Sequence, residues 1–310
     1  MNQASEHVSF VGLGPLGMPL ALQLLQGIQE TMQCHVFDPL PERMEPLAAR
    51  GASAADQLGT VAHPGSIVFT MIPDDRLLLQ MALGEGGLLK QLGAGGVHVS
   101  LAPLSPHVSM QLEKLYQKQG NTYLTATVLG YPEMAQQREV VLCLAGETTA
   151  KKRVLPLLMT MSHHVYDLGK PIERATIVHT AAMTLHAVLL EALGEMAALG
   201  EVCGMKRGPF LRWLLASPLL QGHLRAPERS GMAKLTSGEI RYSVEEALKE
   251  VELAIQMGQE HELDLPCADV VYERLLLALE EGRGSLYWTV LSTDPRPGTM
   301  FSLFDTGDHA

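Results

Sequence analysis

His7-Val8-Ser9-Phe10-Val11-Gly12-Leu13-Gly14-Pro15-Leu16-Gly17, with Cys34-His35-Val36-Phe37-Asp38 downstream, spells out a short apolar strand, a glycine turn, a helix start and a second strand ending in a carboxylate. The turn has the form G-x-G-x-x-G, and each glycine has its own physical task. Gly12 permits the tight turn, Gly14 lets backbone N–H groups approach a pyrophosphate, and Gly17 lets the helix pack against the strand. Leu13, Pro15 and Leu16 complete the loop that would wrap the phosphates at the positive end of the helix. Asp38 stands 21 residues after Gly17, where a carboxylate can accept hydrogen bonds from the adenosine ribose hydroxyls. It would repel a 2′-phosphate, so NAD is favoured, while Arg43 lies near enough in sequence to keep NADP possible.

The chain has 310 residues, 46% hydrophobic and 18% charged, enough for a large core and two domains. A formal charge of −11 disfavours nucleic acid as a partner. Cys34, Cys143, Cys203 and Cys267 stand far apart without C-x-x-C spacing, which reads as reduced thiols in the cytoplasm. No metal site is expected. His179, Met183 and His186 share a helix face, but that spacing is weak ground for ligands. The apolar stretch from Ala175 to Gly200 contains Glu191 and Glu195 besides His179 and His186, which argues against a membrane span.

Strand-like runs at 8–12, 34–38, 66–72, 97–101, 122–128 and 139–145 alternate with helical patterns at 15–30, 40–50, 76–92 and 106–119. Such alternation predicts an α/β domain of the Rossmann type, a doubly wound and mostly parallel sheet covered on both faces. Beyond Leu168 helical periodicity dominates, at 174–206, 208–216, 244–261 and 266–282. The expected organisation is a dinucleotide-binding domain over 1–168, an all-α C-terminal substrate and dimerisation domain over 169–292, and a flexible tail over 293–310. His163, His164 and the run Lys151-Lys152-Arg153 read as solvent-facing charge.

Several short motifs resemble the β-hydroxyacid dehydrogenase superfamily, the group of 3-hydroxyisobutyrate and 6-phosphogluconate dehydrogenase types, in a branch near the imine reductases. Phe10 to Pro19 is similar to the opening signature. Phe69-Thr70-Met71-Ile72-Pro73-Asp74-Asp75 resembles the loop that passes over the cofactor, which implies cofactor contacts for Ile72 and Pro73. Leu193 to Gly200 followed by Gly204-Met205 resembles the end of the long interdomain helix, and Leu248-Lys249-Glu250-Val251 a segment near the nicotinamide, which implies a role for Lys249. The resemblance further implies a homodimer or dimer of dimers. A helix as apolar as 176–205 also calls for a second protomer against it.

Departures from that pattern bear on the substrate. The family's catalytic lysine corresponds to His179, and its asparagine one turn later to Met183. The acid-binding loop corresponds to Thr125-Ala126-Thr127-Val128-Leu129-Gly130-Tyr131, where Leu129 replaces a serine and Tyr131 a glycine. Ala102-Pro103 replaces a serine-threonine pair. A pocket that grips a small carboxylate needs such donors or a cation, so the small-molecule substrate, bounded by Thr127, Leu129, Gly130, Tyr131 and Met183, is expected to be larger or less anionic. His179, with a reference pKa of about 6.5, and Tyr131 are the candidate proton donors. Each has a plain alternative, a packed helix histidine and an aromatic wall. Two functions follow: an NAD(P)-dependent oxidoreductase moving hydride between nicotinamide and a carbonyl or imine, or a catalytically inactive dinucleotide-binding sensor or assembly protein.

Overall fold

The computed structural model describes residues 6–28, 32–217 and 243–286, so the expected tail over 293–310 lies outside the described residues. Its strands are β1 (Glu6–Val11), β2 (Met32–Phe37), β3 (Ser53–Ala54), β4 (Ile67–Thr70), β5 (Val97–Ser100), β6 (Thr122–Leu129), β7 (Val141–Ala145) and β8 (His164–Asp167). They form one sheet in the order β3-β2-β1-β4-β5-β6-β7-β8. Neighbours run parallel except β6 and β7, which are antiparallel. The helices are α1 (Gly17–Ile28), α2 (Glu45–Ala48), α3 (Asp75–Leu83), α4 (Leu88–Leu92), α5 (Pro106–Lys118), α6 (Pro132–Gln136), α7 (Thr148–Met161), α8 (Arg174–Val202), α9 (Arg207–Leu215), α10 (Val244–Glu260) and α11 (Pro266–Glu280). Two compact units divide within α8, Met1–Leu185 and His186–Ala310.

In the first unit, every residue of β4 and β5 is buried, as expected of strands covered on both faces. Alternate residues feed two apolar layers. Val8, Phe10, Phe69 and Val99 join Leu20 and Leu24 of α1 on one side. Val11 and Val68 join Leu78 of α3 and Leu112 and Tyr116 of α5 on the other. The helical pattern read over 76–92 divides into α3 and α4, because Gly84 ends the first helix and a Cβ there would lie 2.6 Å from the Gln80 carbonyl oxygen.

Helix α7 and strand β8 were not expected from the sequence. Lys151 on α7 is buried, not solvated. Its ammonium pairs with Asp167 at the end of β8 and donates to the Gly169 carbonyl at 3.0 Å. The ion pair holds the Asp167 carboxyl below its usual range. Thr125 and Thr127 of β6 donate their hydroxyls to the carbonyls of Ile172 and Ala175 at 2.8 and 2.9 Å, fastening the entry of α8 to the sheet.

In the second unit, α10 and α11 pack through Val244, Ala247, Leu275 and Ala278. A capping box of Ser243 and Glu246 starts α10. Glu195 of α8 is buried and accepts hydrogen bonds from the backbone N–H groups of Cys267 and Ala268 at 2.6 and 3.4 Å. Its charge thereby meets the positive end of α11.

One buried polar cluster distinguishes the first unit's core. His98 of β5 is fully buried, with Nε2 2.9 Å from Thr70 Oγ1 and Nδ1 2.7 Å from the Tyr116 hydroxyl. Its ring stands edge-on to Tyr123. Burial pushes its pKa down to about 3. The unfolded chain therefore binds one more proton than the folded chain between about pH 6.5 and pH 3, and this histidine's contribution to stability is complete above that window and lost as pH falls through it. Denaturant titrations across that range should show His98 adding up to about 1.4 kcal/mol per pH unit to the slope. In His98→Gln the slope should be shallower by that amount, and equal slopes would contradict the buried neutral imidazole.

Candidate dinucleotide and catalytic site

The carboxyl ends of β1 and β4 lie side by side at the point where the strand order reverses, the place where ligands bind in open α/β sheets. The glycine turn leaves β1 there, tied by Gly12 N–H to the Phe37 carbonyl at 3.0 Å, and Met71 N–H donates to the Val11 carbonyl at 2.9 Å. The three glycines are required for different reasons. Gly12 has φ +92°, and a Cβ on it would lie 2.7 Å from both Ile72 Cδ1 and the Met71 carbonyl oxygen. A Cβ on Gly17 would fall 2.0 Å from the Gly12 carbonyl oxygen, so α1 can seat on the turn only without a side chain. At Gly14 a Cβ would meet nothing within 4 Å. That open side adjoins the N-terminus of α1, whose first turn carries no acidic residue to compete with an anion. Pro15 is exposed beside it, Leu16 is partly buried against the core, and Leu13 is buried.

Asp38 closes this loop. Its Oδ2 accepts the Leu13 N–H at 2.7 Å, its Oδ1 accepts the Leu40 N–H at 3.0 Å, and Arg43 Nη1 stands 3.5 Å from Oδ1. The carboxylate is 4% exposed, whereas the Arg43 side chain is 43% exposed. Leu13 thus contributes a backbone N–H to Asp38 and a side chain to the core. Beside the turn, Ile72 is buried and Pro73 exposed. Asp74 caps α3 through the Leu77 N–H at 2.6 Å, and Asp75 accepts the Ser105 N–H at 3.0 Å, which holds the loop after β4 to the start of α5.

A second group of residues gathers where β6 ends and α8 begins. His179 is half-buried with its ring against the Val128 carbonyl, while its Nδ1 is buried with no hydrogen-bond partner. Burial lowers the imidazole pKa, and the carbonyl partly offsets this. Thr127 is fully buried, its hydroxyl committed to Ala175. Leu129 is partly buried. Gly130 has φ +144°, and a Cβ there would press within 2.8 Å of Val140 Cγ1, so backbone geometry alone accounts for this glycine. Tyr131 is 54% exposed at the start of α6, and Met183 is 45% exposed on α8. Lys249 is exposed on α10 of the second unit. The threonine clamp on α8 was missed from sequence, where Thr125 read as part of a strand and Thr127 as a substrate contact, whereas its hydroxyl is committed to the Ala175 carbonyl.

The sequence model for the NAD-binding domain of 6-phosphogluconate dehydrogenase matches residues 7–169. Over 284 residues the chain is 29% identical to an uncharacterised oxidoreductase, YfjR, of Bacillus subtilis, covering 92% of this chain and 98% of that one. It is 25% identical over 270 residues to the 2-(hydroxymethyl)glutarate dehydrogenase of Eubacterium barkeri, covering 85% and 86%. Among solved structures, the imine reductase of Myxococcus stipitatus in complex with NADP+ superposes with a TM-score of 0.80 at 20% identity, covering 93% of this chain and 99% of that one. That likeness is one of fold.

The glycine geometry separates binding from folding. Gly14→Ala should melt within about 2 °C of the parent, yet bind NADH at least about tenfold more weakly by fluorescence titration, because the methyl group enters only the open side. Gly17→Ala should lose about 2 kcal/mol or more of stability in chemical denaturation, through the forced separation of α1 from the turn. The reverse ranking would contradict the assignment of the open side to a ligand.

Proposed function

Because the chain belongs to the family of the 6-phosphogluconate dehydrogenase NAD-binding domain, a family of NAD(P)-dependent oxidoreductases, we propose that it transfers hydride between a nicotinamide cofactor and a carbonyl or imine substrate. The observation that carries this reading is the open side at Gly14, bounded by the start of α1 and by a turn that admits no side chain at Gly12 or Gly17. In this reading Gly12–Gly17, Ile72 and Pro73 hold the dinucleotide. Asp38 favours NAD, and Arg43 admits NADP by turning from Asp38 to a 2′-phosphate, for which its exposure leaves room. The four cysteines are unpaired thiols, which supports a cytoplasmic setting.

When bound, the cofactor supplies or takes up the hydride. The chain must then manage one proton at the substrate heteroatom. His179 is the group proposed for it, its buried and unpartnered Nδ1 left to give or accept the proton. Tyr131, exposed at the same loop, is the proposed second donor and the limit on substrate size. Leu129 and Met183 make the surroundings apolar, which suits a neutral carbonyl or an imine better than a small acid.

The exposed apolar side chains around α8 support a homodimer. Ile177, Leu185, Val188 and Leu190 are each more than half exposed, on a helix long and apolar enough to cross a membrane by length and composition. Glu195, buried against the start of α11, suits a helix enclosed by protein rather than lipid. Sedimentation of the detergent-free chain should give a dimer or dimer of dimers, and Val188→Glu a smaller species. A monomer at micromolar concentration would reject the assembly.

The activity is tested with NADH and NADPH in parallel against semialdehydes, ketones and cyclic imines. Reduction needs the protonated imidazole, so its kcat/KM should fall as pH rises through the lowered pKa of His179, and oxidation should rise through the same value. His179→Gln should remove that dependence and cost about a hundredfold in kcat. Unchanged turnover would remove His179 from the chemistry, and cofactor binding without turnover across the panel would favour the non-catalytic sensor.

A further inference from the structure

Three histidines from distant parts of the sequence meet at the amino edge of the sheet, away from the carboxyl edge that carries the glycine turn. His7 lies on β1, His35 on β2, and His63 in the turn that precedes β4. One ring nitrogen from each lies within 4.8 Å of the other two. His7 Nδ1 and His35 Nε2 are 3.3 Å apart. Two imidazole nitrogens bound to one tetrahedral zinc at about 2.0–2.1 Å would be separated by roughly 3.3–3.4 Å, so this pair already stands at the spacing of a ligand edge. The third ring packs on both, its centroid 4.3 Å from that of His7 and 4.6 Å from that of His35, closer than the roughly 5.2 Å of two imidazoles on one zinc, so His63 turns outward when the ion binds.

The third histidine is held there by the backbone. Ser9 of β1 donates its hydroxyl to the Val61 carbonyl at 2.6 Å, pinning the incoming loop against the strand next to His7. A turn through Pro64 and Gly65 follows, closed by Ser66 N–H to the His63 carbonyl at 3.0 Å and by His63 N–H to Ser66 Oγ at 3.2 Å. His63 Nε2 is buried and has no hydrogen-bond partner, a cost that a bound cation would remove.

We propose that His7, His35 and His63 form a binding site for a borderline divalent metal ion of the zinc class, which clamps β1, β2 and the turn before β4 at the amino edge of the sheet. Three neutral imidazoles with a water in the fourth position suit Zn(II), and the same donors accept Co(II), Ni(II) or Cu(II). His7 is five residues from Gly12 along an extended strand, roughly 16 Å, so the ion is a structural clamp and takes no part in the proposed hydride chemistry. The site does not depend on that chemistry.

The test uses the full chain, stripped by chelator and free of any affinity tag. Zinc chloride titrated in competition with a chromophoric chelator should saturate at one ion per chain and raise the melting temperature by about 2 °C or more. Cobalt(II) should give the intense visible absorption of four-coordinate nitrogen ligation, without the thiolate charge-transfer band that a cysteine site would add. His63→Gln should weaken zinc binding by at least about tenfold. His7→Gln, at the start of the edge, should do the same and decides the matter if the first variant fails to fold. No stoichiometric zinc, a thiolate band, or equal zinc affinity in the parent and in His7→Gln would each overturn the site.

Discussion

Helix α1 rests on β1 through a contact that no side chain can enter. A Cβ on Gly17 would lie 2.0 Å from the Gly12 carbonyl oxygen, and much of the first unit's arrangement depends on that approach. It fixes where the helix begins and directs its positive end across the carboxyl edge of the sheet. It also holds the turn against the loop after β4, where Ile72 and Met71 block any side chain at Gly12. Asp38 then secures the outer rim by accepting N–H groups from Leu13 and Leu40. The open side at Gly14 is what these constraints leave free.

The group of residues around His179 is positioned by hydroxyls. Thr125 and Thr127 fasten the segment 172–175 to β6, which determines the height at which α8 enters and so brings His179 to the Val128 carbonyl. A histidine at that place is half-buried and keeps Nδ1 without a hydrogen-bond partner. A purely packed histidine, such as His98, has both nitrogens engaged.

The sequence made the parallel strands and the glycine turn legible because buried strands must be short apolar runs and each glycine answers a steric demand within its own loop. The elements it concealed were those whose stability comes from distant partners. Helix α7 carries Lys151-Lys152-Arg153 and an internal Pro156, and reads as a solvated segment until Asp167 neutralises Lys151. Strand β3 has two residues, and β8 is an edge strand whose His164, Tyr166 and Asp167 are exposed, so neither shows an apolar run. Asp38 was legible as an acid at the right distance, but its engagement by the loop N–H groups was not. The three histidines at 7, 35 and 63 were invisible because strand adjacency, not local spacing, unites them.

The central claim is that the carboxyl edge at β1 and β4 is a working dinucleotide site. Isothermal titration calorimetry of the full chain with NADH and with NADPH tests it most directly. The account requires saturable binding of at least one of them, one molecule per chain, with a dissociation constant of about 100 μM or tighter. Absence of binding heat for both cofactors at about millimolar concentration and at two temperatures would contradict it, and would leave the glycine turn as a packing device alone.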